Sequence, residues 1–245
     1  MIRACAIAVV VAAAVLIAGC GDSDDGPLEV FAASSLRDVA PKVDRAPRYT
    51  FAGSDELAAQ IRDGAPADVF LSASGTPVQE LRAAGLVEAP FVFASNRLVV
   101  VVPAANPAGL NAFAELARPG LKLVLGGEGV PIGDYAREAL AAAGLEAALE
   151  NVVSLEQDVK GVLGKVALGE ADAGIVYATD VRAAADDVRE LAIPDEVQPD
   201  VRYYAAVVSA GDVERAAEFV RRLAREEGAG ALRAAAFLPV PNRAE

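Results

Sequence analysis

"RYTFAGSDELAAQIRDGAPADVFLSASGTPVQELRAAG", Arg48 to Gly85, settles how the chain is built. Two short β-rich runs, "RYTFAG" and "DVFLSA", each hand over through small residues to a helical pattern, "DELAAQIRD" and "TPVQELRAAG". The apolar positions in those patterns recur every three or four residues, and Gly64 and Gly85 stand where the helices would stop. Strand and helix in repeated alternation imply a parallel sheet covered by helices on both faces. Upstream, "LEVFA" precedes a short helix expected near residues 35 to 43. Downstream, "KLVLGG" precedes "IGDYAREALAAAG", "NVVSL" precedes "DVKGVLGKVALG", and "AGIVYA" precedes a short turn of helix.

The rhythm breaks once. After Gly85, "FVFAS" and "RLVVVVP" follow one another with no helix between them, and Leu98 to Val102 reads as a strand leaving a first lobe. "VRYYAAVVS", Val201 to Ser209, is a long strand able to return to it, and "VERAAEFVRRLA" is an amphipathic helix closing the chain. The expectation is an α/β protein of two lobes, residues 28–97 with 205–245 and residues 98–204. Each would hold a mostly parallel sheet flanked by helices, and two strands would cross between them.

The N-terminus is of another kind. Arg3 is followed by fifteen apolar residues, Ala4 to Ala18, then Gly19 and Cys20. That run is too short for a spanning helix and has the order of a secretory signal. "IAGC", Ile17 to Cys20, resembles a bacterial lipobox, which implies a signal over residues 1–19 and a lipidated Cys20 as the mature N-terminus. "GDSDDGP", Gly21 to Pro27, reads as a flexible tether. With Cys5 removed and Cys20 acylated, no thiol is left for a disulfide or a metal. Arg3 leaves with the signal, so the net charge of -13 becomes more negative by one. An acidic chain of this kind is a poor partner for nucleic acid, which needs clustered Lys and Arg.

Absences narrow the chemistry. The chain has no His, so no Ser-His-Asp triad, imidazole base or His metal site exists. There is no phosphate-binding GxxxxGK[ST] loop. "LVLGGEGVPIG", Leu123 to Gly133, imitates a dinucleotide turn, but its spacing is G-x-G-x-x-x-G, and Pro131 and Ile132 stand where backbone would have to approach a pyrophosphate. More telling are the helix starts at Ser35, Ser54, Ile132 and Val159, where unpaired N–H groups and the helix dipole favour an anion. These starts need not converge, and Ser is also a common N-cap.

At this point the motifs reach a family. "VFAASSL", "FAGSDELAAQIRDGAPADVFLSAS", "RLVVVVP", "VPIGDYAREAL", "QDVKGVL" and "GIVY", in that order, resemble the periplasmic molybdate-binding proteins of ABC importers, from Leu28 to about Pro239. The resemblance implies a type II binding-protein fold that closes on a tetrahedral oxyanion, molybdate or the like-shaped tungstate. Ser35 and Ser54 would offer hydroxyl and backbone N–H from the first lobe, Ser35 serving as cap and ligand together. Ile132 and Val159 would offer backbone N–H from the second, and Tyr177 its phenol. It implies no cofactor, no catalysis and no direct protein ligand to the metal. It also implies a monomer held outside the cell membrane by Cys20 and delivering its anion to a permease.

Two departures stand out. Ser35 and Ser54 are close together in sequence, with Pro41 and Pro47 between them, so the first helix should be truncated. Asp55 stands where the family has a small or hydroxyl residue. As a first-turn acid it would only answer the helix dipole; as a proton acceptor it would turn the site towards phosphate. The competing readings are a receptor for another oxyanion such as phosphate or sulfate, a secreted carboxylate-dependent hydrolase, and a binding module reporting to a sensor.

Overall fold

A computed structural model describes residues 26–240; the signal segment, Cys20 and the tether up to Asp25 lie outside the described residues. The first sheet holds β1 (Glu29–Ala33), β2 (Arg48–Ala52), β3 (Val69–Ser72), β4 (Phe91–Asn96) and β10 (Val201–Val207), in the order β2-β1-β3-β10-β4. β1 pairs in parallel with β2 and β3, whereas β10 runs antiparallel to β3 and β4. The second sheet repeats the plan with β5 (Leu98–Pro103), β6 (Leu123–Gly126), β7 (Val152–Glu156), β8 (Ala173–Tyr177) and β9 (Val188–Ala192), in the order β7-β6-β8-β5-β9. There β5 is the strand running against its neighbours. Four strands of five in each sheet therefore point one way, as the alternating pattern predicts.

Burial explains the near-continuous apolar runs. A strand covered on both faces cannot alternate apolar with polar, and β3 and β5 are buried at every residue. Successive side chains still divide between the faces. Phe31 and Phe70 pack under α2 (Ser54–Arg62) and α3 (Gly75–Ala83) with Leu57, Ile61, Val78 and Leu81. Val30, Ala32, Val69 and Leu71 point to the opposite face, in a cluster that includes Leu36, Phe219 and Leu223. Leu57 and Ile61, one turn apart, make the buried stripe of α2.

Four elements depart from the sequence reading. The expected helix at 35–43 is two pieces, a 3-10 turn at Ser34–Leu36 and α1 (Ala40–Val43), because Pro41 lacks an N–H and is accommodated only in a first turn. β9 and α8 (Glu226–Ala234) carried no signal: "VRELA" is a largely exposed edge strand, and "EEGAGALRA" contains two glycines. β10 pairs with β4 from Val201 onward, so the sheet takes in the whole strand rather than its end from residue 205. α7 (Val213–Ala224) follows, with Ala216, Phe219 and Leu223 buried as its amphipathic pattern requires.

The lobes meet at two crossings. Only Arg97 separates β4 from β5. The Gln198 side chain, on the return crossing, accepts the Leu98 N–H at 2.9 Å and donates to the Leu98 carbonyl at 2.8 Å. One amide thus ties both crossings together.

In the second lobe α4 (Pro131–Ala142) and α5 (Val159–Ala167) cover the sheet. The glycines that imitated a dinucleotide turn have a packing reason. A Cβ on Gly133 would lie 2.2 Å from the Gly127 carbonyl oxygen and 2.3 Å from that of Gly126, so α4 approaches the end of β6 only because this residue has no side chain. Gly164, within α5, faces open space. Gly133→Ala should therefore cost about 1 to 3 kcal/mol of stability, whereas Gly164→Ala should be neutral or stabilising by about 0.5 to 1 kcal/mol. Urea unfolding of the two variants checks this, and equal effects would contradict it.

Candidate functional site

Where the two sheets face each other, the carboxyl ends of their strands surround a small pocket. Its walls include Ser34, Ser35, Gly53, Ser54, Ala73, Pro131, Ile132, Asp158, Val159 and Tyr177. Each comes from a point where a strand gives way to a turn or helix, the position at which open α/β sheets bind ligands. All five residues singled out in the sequence, Ser35, Ser54, Ile132, Val159 and Tyr177, are brought together here. A water-sized sphere has only about 10 Å³ in which to move its centre. That favours one compact group over a sugar ring, nucleotide or peptide.

No Lys or Arg lines the pocket, and Asp158 is its one charged residue. One oxygen of the Asp158 carboxylate, Oδ1, accepts the Gly161 N–H at 2.9 Å as the N-cap of α5. Three helices, α2, α4 and α5, begin at the walls. Ser54 and Val159 are the first helical residues of α2 and α5, and Ile132 is the second of α4. Their N–H groups therefore belong to first turns, which have no intrahelical acceptor.

The hydroxyls complete the lining. Ser54 Oγ accepts the Ala73 N–H at 3.1 Å, and Ser35 Oγ lies 3.0 Å from the Tyr203 hydroxyl. Tyr177 is 1% exposed, and its hydroxyl oxygen has no partner among the described residues. Burial holds the Tyr177 phenol proton on, well above the ordinary tyrosine range. A wall of N–H and O–H donors with no cation suits a small anion.

Ser35 does not cap a helix. The residue preceding its 3-10 turn is Ala33, no side-chain capping bond is made there, and Gly53 rather than Ser54 precedes α2. The reason is the same Pro41 break, which leaves too little helix at Ser35 to cap. Asp55 lies in the first turn of α2 but not in the pocket wall. Burial raises its pKa against the pull of its own and Glu56 N–H groups, and Asp134 of the second lobe adds to the rise.

Sequence reading missed the groups behind the wall. Tyr203 and Asn96 are buried, and Lys160 links the lobes. Its ammonium lies 2.9 Å from Asp38 of the first lobe and 3.0 Å from the buried Asp180 on α6 (Ala178–Val181). Only the neighbouring "QDVK" pointed towards it, and nothing local marks Asp38 as its partner.

Comparison with known proteins agrees with the fold and with the family read from the motifs. Residues 44–238 match the family model described as bacterial extracellular solute-binding protein. The molybdate-binding protein ModA of Mycobacterium tuberculosis is 37% identical over 80% of this chain and 82% of its own. ModA of Haemophilus influenzae is 32% identical over 87% of this chain and 91% of its own. The Azotobacter vinelandii periplasmic molybdate-binding protein shares the fold with a TM-score of 0.75 at 22% identity, over 86% of this chain and 98% of that one.

Burial pushes the Asp180 carboxyl up to about 6, against the pull of Lys160. A raised folded pKa means that the native protein binds a proton here before the unfolded chain does. The stability tied to that proton is fully present below the unfolded value and is lost as pH rises through about 6. Moving from about pH 7.5 to about pH 5, the wild type should gain thermal stability relative to Asp180→Asn. Calorimetric scans at the two pH values check the sign, and a gap that moves the other way would count against it.

Proposed function

The chain belongs to the bacterial extracellular solute-binding proteins, and on that premise we propose that it is the receptor of an ABC importer for molybdate, with tungstate as an alternative cargo of the same charge and shape. The observation that carries this reading is the pocket itself: five positions on five separate chain segments meet around a compact, cation-free space lined by donors. A divalent tetrahedral oxyanion accepts at every oxygen, and each charge-assisted bond contributes about 1.5 to 3 kcal/mol. In this reading Ser35 and Ser54 donate hydroxyl and backbone hydrogens, Ile132 and Val159 donate backbone N–H, and Tyr177 donates its phenol. The protein carries its anion to a membrane permease and performs no reaction. Lipidation of Cys20, with the acidic tether after it, would keep the lobes at the outer face of the membrane as a monomer.

The rival oxyanions differ in a testable way. Near neutral pH phosphate retains a proton that needs an acceptor, whereas all five residues are assigned donor roles in this reading; sulfate has no proton but is smaller. In calorimetry on ligand-free protein, molybdate and tungstate should bind tightly, sulfate weakly and phosphate not at all. Phosphate binding of comparable strength would replace this assignment. A second test separates backbone from side chain. Ile132→Ala should keep binding, whereas Ile132→Pro deletes the N–H at a helix position that tolerates proline and should weaken it strongly. Equal loss from both would mean that the side chain, not the backbone, meets the ligand.

A further inference from the structure

Of the pocket hydroxyls, that of Ser35 has its direction set from the greatest distance. The chain of bonds starts where the backbone crosses between lobes. The Arg97 N–H, which can only donate, reaches Asn96 Oδ1 at 2.9 Å, and this fixes which end of the Asn96 amide carries the hydrogens. Those two hydrogens are then both placed. Nδ2 donates to Thr179 Oγ1 at 2.9 Å, across the cleft in the second lobe, and to the Tyr203 hydroxyl oxygen at 3.4 Å. With its oxygen accepting from Asn96, the Tyr203 hydroxyl has its own proton to give, and Ser35 Oγ lies 3.0 Å away to take it. An oxygen that accepts from Tyr203 keeps its own O–H for the remaining open direction, which is the pocket.

We propose that Tyr203 is a positioning residue for anion selectivity, whose phenol turns the Ser35 hydroxyl into an obligatory donor towards the ligand. The proposal rests on the oxyanion reading of the pocket and adds to it the reason a hydroxyl, which can accept as readily as donate, behaves there as a donor only. Tyr203 itself does not line the pocket. Its side chain is fully buried, its ring packs edge-on against Tyr177 at 5.8 Å and Phe237 at 5.1 Å, and its proton is held on by burial. Ser54 reaches the same condition by a shorter route, since its oxygen accepts directly from the Ala73 N–H. Ser35 and Ser54 are therefore polarised alike, one by a side-chain relay and one by backbone.

The relay predicts more than a loss of affinity. In Tyr203→Phe the ring packing is kept and one hydroxyl is removed, so Ser35 becomes free to rotate and accept. Molybdate affinity should fall by between about twofold and tenfold, the range of one hydrogen bond. Phosphate, which the wild type should not bind, should gain measurable affinity, because a rotated Ser35 can accept its proton. In a Ser35→Ala background the same substitution should change neither quantity, whereas a role in packing alone would leave the two effects additive. Asn96→Asp provides an independent arm: it replaces the donating nitrogen with an acceptor, draws the Tyr203 proton away from Ser35, and should lower molybdate affinity with Tyr203 still in place. Titration calorimetry with molybdate and phosphate on the wild type, Tyr203→Phe, Ser35→Ala, the double variant and Asn96→Asp reads all of this. A wild type that binds no oxyanion would overturn the proposed function. A wild type that binds molybdate, with Tyr203→Phe and Asn96→Asp unchanged in affinity and selectivity or additive with Ser35→Ala, would overturn the relay alone.

Discussion

A bare anion taken out of water must find a hydrogen at each of its oxygens, and those hydrogens must already be aimed when it arrives. Desolvating a charge without replacing its hydration costs far more than a folded protein can spare. In the proposed reading the pocket meets that constraint with first-turn N–H groups, whose direction follows from the helix axis, and with the Ser35 and Ser54 hydroxyls, whose oxygens are already engaged. Neither kind of donor has to reorganise. Most of what the fold does, from strand order to the crossing residues, serves to bring these hydrogens to one point.

Two sheets of the same plan, set with their carboxyl ends facing, are a direct way to gather helix starts from both sides. The approach is close. Gly53 of the first lobe sits against the Gln157 carbonyl of the second, where a Cβ would be 2.4 Å from the oxygen. Because Arg97 alone separates β4 from β5, the lobes have little slack in how they meet. Asn96 belongs to this crossing and also to the bonds behind the pocket, so the same side chain contacts Thr179 in one lobe and Tyr203 in the other. The lobe arrangement and the direction of the Ser35 hydroxyl are therefore coupled through one amide.

What was legible in the sequence was local. Strand followed by helix, with small residues at the junction, is written within a dozen residues each time, and Ser54, Ile132 and Val159 lie at such junctions. The number of strands per sheet, the unpatterned β9 and the glycine-containing α8 were not legible, because an edge strand or a short capping helix needs little apolar periodicity. The capping role expected of Ser35 failed for a related reason: Pro41 broke the helix that was to be capped. Least legible were the groups behind the wall. Tyr203 meets Ser35 across 168 positions of sequence, and "VRYYAAVV" by itself is an ordinary buried strand. Long-range partners of that kind leave no periodic trace.

Charge placement carries the same logic one step outward. Lys160 follows Val159 directly, yet its ammonium is turned away to Asp38 and Asp180, and the one charged residue in the wall, Asp158, has an oxygen engaged as a helix cap. A mobile ammonium in the pocket would attract any dianion and would hold it by a strongly hydrated point charge with little directional demand. Fixed neutral donors act otherwise, since each contributes fully only when an oxygen lies at the right place and carries no proton. With Lys160 withdrawn, shape and protonation state decide what is held. The ion pair that removes the cation also spans the lobes, so a residue excluded from the pocket helps to close it.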